Sequence, residues 1–109
     1  MTVTYEVREL KAELEATADY IERRALRQQE RREMFASLRS NIKLASGCVD
    51  CPPGTPWPAC ALDFDHVRGV KLFNLAQVGN RSLDTFVTEV DKCEVVCANH
   101  HRMRTEARQ

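Results

Sequence analysis

The sequence predicts an α+β chain, a long N-terminal helix followed by a small metal-stapled domain. Three observations predict it. Residues 6–44 contain neither glycine nor proline and are rich in Glu, Arg, Leu and Ala, a helix-forming composition. All five cysteines, all three histidines and all four prolines lie beyond Ser46-Gly47. Past that point, short alternating and amphipathic stretches replace the long helical period. The chain therefore divides into a helical region, 1–45, and a compact domain, 46–109. With 109 residues and 6% aromatic content the core is thin, and a domain this small commonly needs a staple.

In the first region apolar residues recur at Val7, Leu10, Leu14, Ile21, Ala25, Phe35, Leu38 and Ile42. Heptads counted from Val7 place Thr17, Arg24 and Arg31 at core positions, which argues against an uninterrupted coiled coil. The stripe instead predicts that about 6–22 packs on a partner helix or on the domain. The middle is then solvated, and Phe35–Ile42 docks on the C-terminal module.

In the second region, Pro52-Pro53-Gly54-Thr55-Pro56-Trp57-Pro58 can be neither helix nor central strand and is a loop. Ala61–Asp65 alternates apolar and acidic residues and reads as a short strand. Val67-Arg68-Gly69 reads as a turn and Val70–Leu75 as the return strand. Ser82 to about Asp91 has an N-cap serine and apolar Leu83, Phe86, Val87 and Val90, the pattern of a short amphipathic helix. Glu94–Cys97 is extended, and Asn99 to about Arg108 is a terminal helix.

The net charge is zero but unevenly spread. Residues 1–22 carry −4, residues 23–43 carry +5 and residues 44–109 carry −1. The basic block (Arg23, Arg24, Arg27, Arg31, Arg32, Arg39, Lys43) can neutralise phosphates locally. Its alternative is a solvated helix face laced with Glu–Arg pairs. No run approaches the ~18 apolar residues of a membrane span, so no membrane partner is expected. The start MTVTYEVREL lacks the basic-then-apolar pattern of a secretory signal. A cytoplasmic location with reduced thiols follows, and clustered cysteines are then metal ligands rather than disulfides.

Cys48-Val49-Asp50-Cys51 is a CxxC and Cys97-Ala98-Asn99-His100 a CxxH. Two knuckles of this spacing, separated by a domain's worth of chain, fit a closed tetrahedral zinc site, so Cys48, Cys51, Cys97 and His100 are expected to hold a structural Zn²⁺. Cys60 and Cys93 are spare. Either could replace His100, although lone cysteines are more often small core residues. Neighbouring side chains on a helix diverge by ~100°, so His101 faces away from an ion held by His100. Leu62-Asp63-Phe64-Asp65-His66 is an acidic strand ending in Asp-His. Carboxylate with imidazole suits Mg²⁺, Mn²⁺ or a transition metal with open positions.

At these residues the chain resembles a known family. Asp65-His66, followed some thirty residues later by Cys97-Ala98-Asn99-His100-His101-Arg102-Met103-Arg104-Thr105, is similar to HNH endonucleases of the ββα-metal (His-Me finger) type that carry zinc knuckles. The resemblance covers about residues 46–107. It implies a zinc-stapled ββα-metal domain and metal-dependent hydrolysis of DNA phosphodiester bonds, in a bacterial or phage-infected cell. Carried over, His66 is the general base that activates water, since imidazole accepts protons near neutrality. Asp65 and His101 hold the catalytic divalent ion, a Lewis acid at the scissile phosphate. Arg102 and Arg104 meet backbone phosphates. The N-terminal helix adds DNA contacts through Arg23–Arg32, or a homodimer contact.

Two departures stand out. His100 replaces the usual cysteine, an exchange zinc accepts. The family's middle Asn has no clear match, because Asp91, Lys92 and Cys93 occupy its expected place and Asn74, Asn80 and Asn99 lie elsewhere. Strand geometry adds a condition. Asp65 and His66 point to opposite faces of a regular strand, so both roles need the strand to end or twist at His66. If it runs straight, Asp63 joins Asp65 and His66 stands apart. The alternative function is a non-catalytic zinc module that binds nucleic acid or protein.

Overall fold

A computed structural model describes residues 6–109. The chain forms two compact units, one ending at Met34 and the other comprising Phe35–Gln109. Helix α1 runs without a break from Val7 to Ser46. It stops at Gly47, whose φ of +66° is the left-handed conformation that closes helices, and whose N–H returns to the Lys43 carbonyl at 2.8 Å. In the first unit Val7, Leu10, Leu14 and Ile21 are exposed.

The second unit begins with the last three turns of α1. Phe35 is buried and meets Phe86 edge-on, with ring centroids 5.1 Å apart. Leu38 and Ile42, one and two turns further along, pack on the same cluster, as the apolar stripe predicts. The strands are β1, Leu62–His66, and β2, Cys93–Cys97. They pair antiparallel, with Leu62 opposite Cys97 and His66 opposite Cys93. Helix α2, Leu83–Val90, starts on Ser82, whose hydroxyl accepts from the Thr85 N–H. Helix α3, Ala98–Ala107, follows β2 directly.

Two apolar clusters share Phe64. One gathers Phe35, Phe73, Leu75, Val78 and Phe86; the other gathers Leu62, Val95 and Val96 with Cys48 and Cys97. Phe64, on β1, touches both and ties the Cys48–Cys97 end of the domain to the α1–α2 end.

The sequence places the return strand at Val70–Leu75, and the structure corrects this. Residues 70–75 form a loop, and the partner of β1 is the extended piece near Glu94–Cys97. The loop's backbone polar groups find side chains instead of a ladder. The Leu72 N–H donates to the Glu89 carboxylate at 3.1 Å, and Lys92 Nζ donates to the Val70 carbonyl at 2.8 Å. Phe73 and Leu75 are buried while Val70 and Leu72 are exposed, so the apolar alternation reflects docking onto Phe35 and Phe86.

Candidate metal centre

Four side chains from three places in the chain converge at one corner. Cys48 and Cys51 come from the turn after α1, Cys97 from the end of β2, and His100 from the first turn of α3. The β1–β2 register and a bond from the Val49 N–H to the Val95 carbonyl, 3.0 Å, fix the CxxC turn against β2. Cys97 is also the N-cap of α3, its sulfur accepting from the His100 N–H, so the helix that carries His100 is anchored on a ligand.

His100 Nδ1 lies 3.1 Å from Cys97 Sγ, 3.4 Å from Cys51 Sγ and 3.7 Å from Cys48 Sγ, and Cys51 Sγ lies 3.9 Å from Cys97 Sγ. A tetrahedral zinc with Zn–S near 2.3 Å and Zn–N near 2.0–2.1 Å has ligand–ligand edges of about 3.5–3.8 Å. The four atoms therefore outline the coordination shell of such an ion, and the donor set of three sulfurs and one imidazole suits zinc. Burial pushes the Cys48 thiol up, but backbone N–H groups of Cys97 and Asp50 outweigh it and hold the thiol at about 6. The Trp57 indole N–H donates to Cys51 Sγ at 3.4 Å, a partner from the proline-rich loop that the spacing alone does not reveal. Cys60 is exposed. Cys93 packs beside the apolar cluster, where burial pushes its thiol up to about 11.

The second group of expected site residues separates across β1, which runs straight through His66. Asp63 and Asp65 face α3. His101 Nδ1 lies 3.0 Å from Asp63 Oδ2, and its Nε2 lies 3.6 Å from Asp65 Oδ1, so Asp65 and His101 are brought together with Asp63 as a third member. Asp65 is buried and doubly paired. Arg108 grips both its oxygens at 2.8 and 2.9 Å, and Arg104 adds a contact at 2.9 Å. The Arg108 hydrogen bonds lead in drawing the Asp65 carboxyl down to about 2 against the opposing effect of burial, with Arg104 assisting. Arg104, expected to meet phosphates, is instead committed to Asp50, Asp65 and Glu94, and so links the CxxC turn to both strands. Arg102 is exposed beside His101 in an open groove on α3.

His66 faces the other way. Its Nε2 lies 2.9 Å from Oε2 of Glu89, a carboxylate 1% exposed that also holds Lys92 Nζ at 2.8 Å. Burial pushes the Glu89 carboxyl up, but Lys92, the Leu72 N–H and His66 overcome this and set it at about 2. Glu89 is the partner of His66 that sequence reasoning missed. The available signal was a carboxylate on the apolar face of α2, one turn beyond Phe86. His66 also lines an open cleft of about 280 Å³ with Arg39, Lys43, Lys71, Asn74 and Asp63. Among the described residues, no helix is long and apolar enough to cross a membrane. No family model, no curated protein and no solved structure matches this chain.

Proposed function

We propose that the chain is a metal-dependent endonuclease of the HNH type, its domain braced by a zinc at Cys48, Cys51, Cys97 and His100. The observation that carries this reading is the order of parts. An antiparallel pair, β1 and β2, leads directly into α3, with the acidic strand on one side and the helix bearing His101 on the other, and the Cys/His corner sits at the β2–α3 junction. This is the arrangement that the resemblance implies, and it places Asp65 and His101 within 3.6 Å.

Asp63, Asp65 and His101 supply the donor types that a hard or borderline divalent ion takes. Both oxygens of Asp65 accept from arginines, so a cation there competes with Arg104 and Arg108. A divalent ion held by Asp63, Asp65 and His101 would supply Lewis-acid stabilisation at the scissile phosphate. The protein's own part is proton transfer and positioning. β1 runs straight through His66, so the imidazole stands on the opposite face from Asp65 and His101, and in this reading the two faces act on one phosphate only if β1 twists at His66. The imidazole Nε2 is turned to Glu89, which would stabilise an imidazolium formed when Nδ1 takes a proton from water. Arg102 is placed for a backbone phosphate. The helical region before Met34 adds either phosphate contacts through Arg23–Arg32 or a contact between two copies.

A second reading, a non-catalytic zinc module that binds nucleic acid or protein, is favoured by one observation. Asp65 is already neutralised by arginines, and His66 lies on the opposite face of β1. Nicking of supercoiled plasmid with Mg²⁺ or Mn²⁺ separates the two. The nuclease reading expects relaxed circles from the parent protein and none from His66→Ala or His101→Ala, both variants retaining zinc. Equal cleavage by parent and His66→Ala, or none by any of them across several metals, favours the binding module.

A further inference from the structure

We propose that the cleft along β1, lined by His66, Arg39, Lys43 and Lys71, is the seat of a DNA phosphodiester backbone. This places the strand at residues other than Arg104 and Arg108 of α3, and it rests on the nuclease reading only for what happens after binding. The argument starts from charge. Three cations line the cleft against one carboxylate, Asp63, and that carboxylate is turned to His101 at 3.0 Å. The other acid near His66 is Glu89, which is buried and held by His66, Lys92 and the Leu72 N–H. The cleft therefore presents unbalanced positive charge to solvent.

The cations are also arranged for an extended anion. Arg39 and Lys43 lie one helical turn apart on α1, and Lys71, on the 70–75 loop, lines the same cleft. Arg39 is fixed by donating to the Leu75 carbonyl at 3.1 Å, and the Lys43 ammonium lies 5.2 Å from the Phe64 ring centroid, directed over β1. Cations contributed by α1 and by the 70–75 loop, with the amides of Asn74 and Gln77 also lining the cleft, match a polyanion. No β2 residue lines the cleft, so a strand lying there runs beside β1 and past His66. By contrast Arg104 and Arg108, the obvious basic residues of α3, are tied to carboxylates.

The test measures binding of a fluorescent duplex DNA to the zinc-loaded full chain by anisotropy across a salt series. The variants are the triple Arg39→Gln/Lys43→Gln/Lys71→Gln and, separately, Lys71→Gln and Lys71→Glu. Lys71 is exposed, so its reversal leaves the fold alone, and zinc content with thermal melting verifies every variant. The triple variant is expected to bind at least tenfold more weakly, with the slope of log K against log[salt] reduced by about 2–3, near 0.9 for each phosphate no longer neutralised. Lys71→Glu is expected to weaken binding more than Lys71→Gln does. Affinity and slope equal to the parent's in the triple variant and in Lys71→Glu, or a parent that does not bind DNA, overturns the proposal. The two claims fail separately. Cleft-dependent binding without nicking in any metal keeps the cleft and removes the nuclease, whereas nicking that survives with unchanged binding in the cleft variants keeps the nuclease and removes the cleft.

Discussion

The two ends of β1–β2 handle negative charge in opposite ways. At the Cys48–Cys51–Cys97–His100 corner, the sulfurs meet one another, an imidazole, an indole N–H and backbone N–H groups, a set that gathers donors for a cation. On the α3 face of β1, Asp65 is matched by Arg104 and Arg108, and Asp50 and Glu94 share Arg104. The first corner could hold an ion, whereas the second is neutralised by the chain itself. Folding of the domain should therefore depend on metal at one place and on salt bridges at the other, and the two dependences should be separable.

The largest expected effect breaks the first corner. Cys97→Ser exchanges a candidate metal ligand at the β2–α3 junction for a residue that can still cap α3, so its effect isolates the loss of the thiolate. Structural zinc contributes about 10–16 kcal/mol of apparent binding energy in small modules, more than a domain of this size has to spare. The variant should lose its cooperative thermal transition by circular dichroism, and a strong chelator should do the same to the parent. A variant that melts like the parent separates the corner from the fold.

The next effect breaks the second face. Asp65→Ala leaves Arg104 and Arg108 without their shared partner. Removing one member of a buried pair costs about 3–5 kcal/mol, and the half-exposed Arg108 places this case at about 3. Urea unfolding should show the loss while zinc remains bound. Simultaneous zinc release would mean that the two regions are one cooperative site.

A smaller effect concerns the opposite face of β1. The Glu89 carboxyl titrates at about 2 in the fold against an ordinary 4.5, so its ionised form stabilises the native state. The advantage of the parent over Glu89→Gln is fully present above pH 4.5 and declines as pH falls towards 2. Paired urea titrations at several pH values check the sign, and an advantage that grows on acidification contradicts it. The smallest effect is local: Ser82→Ala removes the α2 cap for about 1 kcal/mol, with zinc content unchanged.

Much of this was legible in the sequence because it is local. Two CxxC-like spacings bring each ligand pair onto one turn, and their meeting needs only an antiparallel pair between them. The strand period separates Asp65 from His66, and the straight course of β1 realises the alternative in which Asp63 joins Asp65. The docking of Phe35, Leu38 and Ile42 follows from their spacing. What was not legible depends on chain segments far apart. Arg108 reaches Asp65 across forty-three residues and Glu89 reaches His66 across twenty-three. The supposed strand at Val70–Leu75 failed for the same reason, since a side chain from α2 takes the Leu72 N–H that a ladder would have used.

Metal stoichiometry of the purified full chain tests the contrast most directly. One zinc per chain is predicted in the parent and in His101→Ala, and a large loss in His100→Ala. Zinc retained without His100 but released without His101, or a folded parent that carries none, contradicts the assignment of the two corners.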